Sequence, residues 1–186
     1  MKKSFAIAAL TIGAILLGTN NVQAQTKPVP ATAETEVNIE LSDVITIDPT
    51  SVATTKPVNF SYATAADYYT EKTVTVLNAL KVTSTKPFGV TVIANGTDFE
   101  TSDKSSKIPV DVMTITASGG NMTGTPGGGV LSNLTDVILM DGAALGSELT
   151  LDLEFTIPAD QAKSNKILGK PAGTYTQKVT YTATTN

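Results

Sequence analysis

The sequence predicts an all-β protein folded as a two-sheet sandwich, and three observations support this prediction. Residues 149–157 alternate large apolar side chains with polar ones, a period of two that is typical of a strand with one buried face. Roughly nine or ten short segments of strand character occur along the chain, with Gly, Pro, Asn and Asp at the turns between them. Helix-period runs are missing outside residues 1–24 and 159–168. Short strands separated by turns are typical of sandwiches and barrels.

Residues 1–24 have the features of a secretory signal peptide. Lys2 and Lys3 provide the charged start, an apolar run follows, and small residues form the cleavage site. The apolar run, residues 5–18, is shorter than the roughly 20 apolar residues that a membrane-spanning helix needs. We therefore expect no membrane span after signal removal. The remaining 162 residues suit one domain, with an extended tail over 25–35 and a single sandwich over 36–186.

The composition narrows the compartment and the classes of partner. The chain has no cysteine, so the domain must be stabilised by its core and its backbone ladders. Once Lys2 and Lys3 are removed with the signal peptide, eleven lysines face seventeen acidic residues, a net charge of −6. An acidic protein without arginine is a poor partner for nucleic acid or anionic lipid. The two-lysine start, the signal peptide and the bias toward Thr, Ala, Gly and Val predict a bacterial protein of the periplasm, the cell surface or the medium, and the acidic charge predicts no nucleic-acid partner.

In the first half of the chain, alternation predicts strands over 36–41, 44–47 and 57–62. Residues 73–77 and 80–84 form two short strands or one bulged strand. A further strand covers 88–94, and Asn95-Gly96 after it is the strongest short signal of a hairpin turn.

In the second half we expect a polar loop over 97–107, a strand over 108–115, and a flexible glycine-rich loop over 118–129. A strand over 134–140 is closed by a turn at Asp141-Gly142. The strand over 149–157 anchors the core, because burying each large apolar side chain contributes about 1.5–3 kcal/mol. Its inward-facing residues include Leu151, Leu153 and Phe155.

The last forty residues indicate how the sandwich closes. Residues 159–168 form a short helix or a long loop, a turn containing Gly173 follows, and alternation resumes at Tyr175. This order is similar to the corner of immunoglobulin-like Greek-key sandwiches, where a tyrosine at a strand start donates a hydrogen bond back over the connection. Tyr175 takes that role or is an ordinary half-buried strand tyrosine.

The residue types that carry catalysis are scarce. Nucleophilic triads need an imidazole or an equivalent base, and the chain has neither histidine nor cysteine. No serine–lysine motif stands where a helix would present it, and the Gly127–Gly129 run lacks the Gly-Lys-Ser/Thr of a phosphate-binding loop. Paired-carboxylate chemistry is left open by the sequence. We expect a protein that is not an enzyme and that needs no cofactor.

Two clusters are candidate binding residues. Asp98, Glu100 and Asp103 lie in one polar segment, and oxygen-rich loops bind Ca²⁺; the alternative is a solvated acidic loop. Tyr68 and Tyr69 form an aromatic pair that offers a platform to a sugar or a protein partner. The alternative is that part of this pair is buried.

The residues before the sandwich also have a strand pattern. The odd-numbered positions from 29 to 41 are apolar except Thr35: Val29, Ala31, Ala33, Val37, Ile39 and Leu41. The segment pairs within its own chain, or it adds as a strand to the open sheet edge of a neighbouring copy.

The closing segment resembles that of several families of secreted bacterial β-sandwich proteins. The matching stretches are 142–146 (GAALG), 149–157, 171–175 (PAGTY) and 179–182 (VTYT). The families are the pilin-like and spore-coat-protein-U-like subunits, the DUF4402 group, the WxL cell-wall-binding domains and small exported proteins of Bacteroidetes. No functional residue is carried over, because the chain lacks the cysteines of the pilin-type disulfide and the tryptophan of the WxL signature.

Together these observations predict an exported, non-enzymatic protein of the cell envelope or surface with a structural or adhesive role. The alternatives are a glycan- or peptidoglycan-binding module and a pilus-like fibre subunit that polymerises by strand addition. The expected partners are other envelope proteins, cell-wall glycan or further copies of the chain.

Overall fold

Strands form most of the regular structure in the computed structural model, which describes residues 31–186. The chain divides into a unit ending at residue 39 and a unit of residues 40–186, and the fold below is that of the second unit. The predicted signal peptide lies outside the described residues. The elements are, in chain order, β1 (Ile45–Ile47), α1 (Val52–Thr55), a 3₁₀ helix (Ala65–Tyr69), β2 (Lys72–Ser84), β3 (Phe88–Ala94), β4 (Asp98–Glu100), β5 (Lys107–Pro109), a second 3₁₀ helix (Val110–Val112), β6 (Thr114–Gly120), β7 (Thr125–Pro126), β8 (Gly128–Val130), β9 (Val137–Ala143), β10 (Gly146–Ile157), α2 (Ala159–Ala162) and β11 (Val179–Thr185).

The strands form two antiparallel sheets and one small ribbon. The five-stranded sheet has the order β1-β2-β10-β6-β8, and the four-stranded sheet has the order β11-β3-β9-β7. The strands β4 and β5 pair with each other as the ribbon. Apolar side chains of both sheets share one buried core, so the predicted all-β sandwich is confirmed, with eleven strands among residues 31–186.

The strand that the sequence places at the centre of the core does lie there. β10 pairs with β2 on one side and with β6 on the other. Leu151 and Leu153 are fully buried, Phe155 is 4% exposed, and the intervening polar residues are half-buried on the other face. The period-two pattern therefore predicted both the strand and its buried face.

The ambiguity at Asn78-Ala79 is resolved in favour of one bulged strand. β2 runs unbroken over 13 residues, and its register against β10 shifts between Leu151 and Leu153. Asn78 has a φ of 50°, a left-handed conformation that asparagine tolerates. Its N–H donates to Asp152 Oδ1 over 2.6 Å, which fixes the bulge.

Two predicted strands in the first half are wrong. Residues 36–41 have no strand assignment, and neither do residues 57–62. In the second segment the alternation is still visible, since Val58, Phe60 and Tyr62 are partly buried and the residues between them are exposed. Alternation predicts which face is buried, but a strand also needs a ladder partner, and a single segment does not reveal that partner.

The hairpin predicted at Asn95-Gly96 is also wrong. β3 pairs with β11 and β9, not with the strand that follows it. Asn95 instead accepts a 2.7 Å hydrogen bond from the hydroxyl of Thr180. The expected polar loop over 97–107 contains β4 and the start of β5, and the expected strand over 108–115 is divided by the second 3₁₀ helix.

The region expected to be a flexible glycine-rich loop, 118–129, contributes to both sheets through β6, β7 and β8. At Gly128 the backbone of the neighbouring strand is very close, because a Cβ there would lie 2.7 Å from the Ile115 carbonyl oxygen and 2.2 Å from Thr116 Cγ2. These glycines therefore allow neighbouring strands to approach closely, instead of making the segment flexible.

Two strand ends differ from the prediction. β9 continues through Asp141-Gly142, where Gly142 has a φ of 60° within the strand, so this dipeptide is not a terminating turn. The last strand begins at Val179 and not at Tyr175 as predicted. Between these residues, Thr176 makes only a single bridge, to Glu100 of the ribbon. Residues 159–168 are a single helical turn followed by turns, as the sequence indicates. Within residues 31–186, no helix combines the length and the apolar character that crossing a membrane requires.

Candidate functional site

Tyr175 joins the closing turn to the ribbon. Its hydroxyl donates to the carbonyl oxygen of Pro171, four residues earlier, over 2.8 Å. The same oxygen lies 2.9 Å from Ser106 Oγ. This is the backward hydrogen bond that a tyrosine corner makes over its connection. Gly173 lies in this turn, where a Cβ would make only an ordinary 3.7 Å contact with Thr101.

An aromatic cleft opens beside this corner. Its volume is about 420 Å³, within the range of small-molecule sites, and the residues around it come from the ribbon, the closing turn, the segment 57–62 and the ends of the sheets. Five of the lining side chains are aromatic: Phe60, Tyr62, Tyr68, Phe99 and Tyr175. We call this set the aromatic cleft.

Tyr62 is the unusual member of the aromatic cleft. Its hydroxyl oxygen is buried and has no hydrogen-bond partner within the described residues, an arrangement that normally costs free energy. Burial, followed by the nearby negative charge of Asp67, raises the pKa of Tyr62 to about 12, so the hydroxyl remains a neutral donor at neutral pH. The Tyr62 and Tyr68 ring centroids are 5.1 Å apart, and the ammonium of Lys72 lies 5.6 Å from the Tyr62 ring centroid.

Asp67 fixes the 3₁₀ helix that carries Tyr68. One of its carboxylate oxygens accepts hydrogen bonds from the backbone N–H groups of Ala63 and Thr64, and the other accepts one from Lys72 over 2.5 Å. The bond from Lys72 is the largest cause that holds the pKa of Asp67 well below its usual range, and the bonds from Thr64 and Ala63 add to it.

The tyrosine pair predicted from the sequence is divided between two environments. Tyr68 is half-buried and lines the aromatic cleft, whereas Tyr69 is 66% exposed and does not line it. Successive residues of a 3₁₀ helix point about 120° apart, because there are three residues per turn. The two rings therefore do not form one platform.

The three acidic candidates for calcium each have their own partner. Asp98 accepts from the Thr97 hydroxyl, and Glu100 pairs with Lys107 over 2.6 Å. Asp103 accepts from the hydroxyls of Thr101 and Ser105, and these hydrogen bonds lower its pKa to about 2. No group of acidic side chains in residues 31–186 is arranged to hold a metal ion.

The segment before β1 exposes a row of apolar side chains. Val37, Ile39 and Leu41 are 76%, 82% and 88% exposed, and residues 31–44 contain no helix or strand. Single exposed apolar residues are common on protein surfaces. Three large apolar residues exposed together are less common, and such exposed apolar patches mark interaction sites.

No protein-family model matches the chain, and no curated protein matches it. The site must therefore be interpreted from its own residues.

Sequence reasoning missed most of the aromatic cleft. Phe60 and Phe99 are far apart in the chain, and neither belongs to a motif. The alternation of Val58, Phe60 and Tyr62 was the available signal, since it indicated one buried face on this segment.

Proposed function

We propose that this is an exported, non-enzymatic protein of the bacterial cell envelope with a structural role, and that it acts by associating with further copies of itself. The single observation that supports this proposal is the exposed row of Val37, Ile39 and Leu41. Burying a large apolar side chain contributes about 1.5–3 kcal/mol, so covering this row favours association. The signal peptide predicted over residues 1–24 supports export.

The spacing of the row favours one kind of association. Residues at alternate positions share one face of a strand but are scattered around a helix. The segment is therefore suited to strand addition, in which backbone hydrogen bonds supply affinity and alternate side chains supply specificity. A fibre subunit of this kind is the more specific form of the proposal.

The test is sedimentation of the chain beginning at Gln25 over a wide concentration range. We expect oligomers that grow with concentration. Replacing all three residues of the row by aspartate (Val37→Asp, Ile39→Asp, Leu41→Asp) in the same chain should give monomers. The matched control changes the alternate polar positions (Glu36→Gln, Asn38→Ser, Glu40→Gln) and should still associate. If the unchanged chain is a monomer at every concentration, the proposal is refuted.

A second candidate function is supported by the aromatic cleft. We propose that it binds a saccharide of the cell wall, since aromatic rings pack against the apolar faces of sugar rings and five aromatic side chains line the cleft. The cleft volume of about 420 Å³ is large enough for one sugar ring.

Co-sedimentation with purified peptidoglycan tests this second function. Tyr68→Ala should reduce binding, and Tyr68→Phe should retain it because the ring is kept. Tyr69→Ala is the matched control, since Tyr69 lies outside the aromatic cleft. Equal loss of binding in Tyr68→Ala and Tyr69→Ala, or no binding by the unchanged chain, would exclude the cleft as the site.

A further inference from the structure

The sandwich has four sheet edges, and they are protected to very different degrees. An unprotected edge strand presents unpaired N–H and C=O groups that pair with another chain, so proteins shorten edges, bulge them or place lysine and proline on them. β8 has three residues, two of which are glycine, and β7 has two residues, one of which is Pro126. β1 has three residues and pairs with β2 only at residues 82–84. The remainder of β2, which continues this edge, carries Lys72, Lys81 and the bulge at Asn78.

β11 has none of these protections. It spans seven residues, Val179–Thr185, with no charged residue and no proline, and its register against β3 is continuous from end to end. β1 lies near β11 but forms no ladder with it. By the criteria for edge protection, β11 is the exposed edge of this domain.

The hydrogen bonds show which groups of β11 are available. The N–H of Asn95 donates to the Lys178 carbonyl over 2.9 Å, and the N–H of Asn186 donates to the Pro87 carbonyl over 3.0 Å. In an antiparallel ladder such bonds fall on alternate residues, so even-numbered residues from 178 to 186 face β3. The backbone groups of odd-numbered residues face away from β3, and no strand among residues 31–186 pairs with them. These residues are Val179, Tyr181, Ala183 and Thr185.

The side chains of β11 match the exposed segment. Val179, Tyr181 and Ala183 pack partly against the core, and the threonines between them face solvent. A strand added beside β11 would continue this division, with Val37, Ile39 and Leu41 beside the apolar row. Glu36 and Glu40 would then lie beside threonines, and β11 contains no acidic residue to repel them.

We propose that the outer edge of β11 is the acceptor for residues 36–41 of a second copy of this chain, which adds a fifth strand to the four-stranded sheet. The inference rests on the proposed self-association and names the surface that receives the exposed segment. The occupant is a second copy because residues 36–41 form no strand and expose their apolar row in the single chain.

Cross-linking tests this assignment, because the chain has no cysteine of its own. A chain carrying Asn38→Cys, whose side chain would lie on the same face as the threonines, is mixed with a chain carrying one cysteine on a candidate edge: Thr182→Cys on β11, Thr46→Cys on β1 or Val130→Cys on β8. All three acceptor positions are exposed. A short bis-maleimide should join residue 38 to residue 182 between copies and should give no product with residues 46 and 130.

A backbone variant provides the second measurement. Ala183→Pro in the acceptor removes an outward N–H without removing a bond to β3, so it should abolish the cross-link to residue 182. Ala183→Ser keeps the N–H and should retain the cross-link. Thermal unfolding checks that both variants are folded.

Each outcome separates this inference from the proposed function. If oligomers form but residue 38 joins to β1 or β8, the self-association stands and the β11 assignment is wrong. If a chain with both Asn38→Cys and Thr182→Cys cross-links within itself at high dilution, the segment pairs within its own chain, and the assignment to a second copy is overturned. If the unchanged chain does not associate, both proposals fail.

Discussion

Tyr175→Phe is the sharpest test of how the closing corner is stabilised. The change removes one oxygen atom and keeps the ring in the aromatic cleft. Two hydrogen bonds are lost, the 2.8 Å bond to the Pro171 carbonyl and the 2.9 Å contact with Ser106 Oγ. Each net hydrogen bond contributes about 0.5–1.5 kcal/mol, so we expect the free energy of unfolding to fall by about 2 kcal/mol. In a domain of this size that lowers the melting temperature by about 4–8 °C.

Thermal unfolding followed by circular dichroism measures this change, and two variants control it. Tyr69→Phe removes the hydroxyl of an exposed tyrosine and should leave the melting temperature unchanged. Ser106→Ala removes one of the two partners and should produce about half of the effect. The double variant Ser106→Ala, Tyr175→Phe should be little less stable than Tyr175→Phe alone. If Tyr175→Phe and the wild type melt at the same temperature, the hydroxyl does not stabilise the corner and the reasoning fails.

Three further predictions concern the sandwich and the 3₁₀ helix. Leu153→Ala should lower the free energy of unfolding in a denaturant titration by about 2–5 kcal/mol, because Leu153 is fully buried, whereas Leu77→Ala on the exposed face should change it little. Gly128→Ala should destabilise the domain by about 1–3 kcal/mol through its 2.7 Å approach to a backbone oxygen, and Gly129→Ala, which meets only Val137 at 3.4 Å, should be mild; equal melting temperatures for the two variants would contradict this. Asp67→Asn should lower the melting temperature at pH 7 and progressively less below about pH 4, since a carboxylate with a lowered pKa stabilises the fold above its unfolded pKa and loses that contribution as pH falls; a difference independent of pH would refute the assignment.

A local sequence pattern predicts which side chains are buried, but it does not predict which strands pair. The alternation in residues 149–157 predicts a strand and its buried face, and both are found, because burial is decided by each side chain in turn. Pairing is not encoded locally. Residues 57–62 alternate equally well but have no ladder partner, and Asn95-Gly96 has the chemistry of a hairpin turn while its strand pairs with the distant β11.

The candidate sites show the same division. The backward hydrogen bond of Tyr175 spans four residues, so the order of turn and strand was sufficient to indicate it. The aromatic cleft joins residues from 58 to 175, and no spacing rule connects them. The glycines near Gly128 predict a flexible loop, whereas in the structure they allow two strands to approach closely.

Amide hydrogen exchange of the chain beginning at Gln25, followed by mass spectrometry across a concentration series, tests strand addition most directly. The account predicts that peptides covering residues 36–41 and 179–185 become protected together as concentration rises, while the peptide covering 125–130 does not change. Exchange that is independent of concentration in both regions, or protection of 36–41 without protection of 179–185, would contradict it.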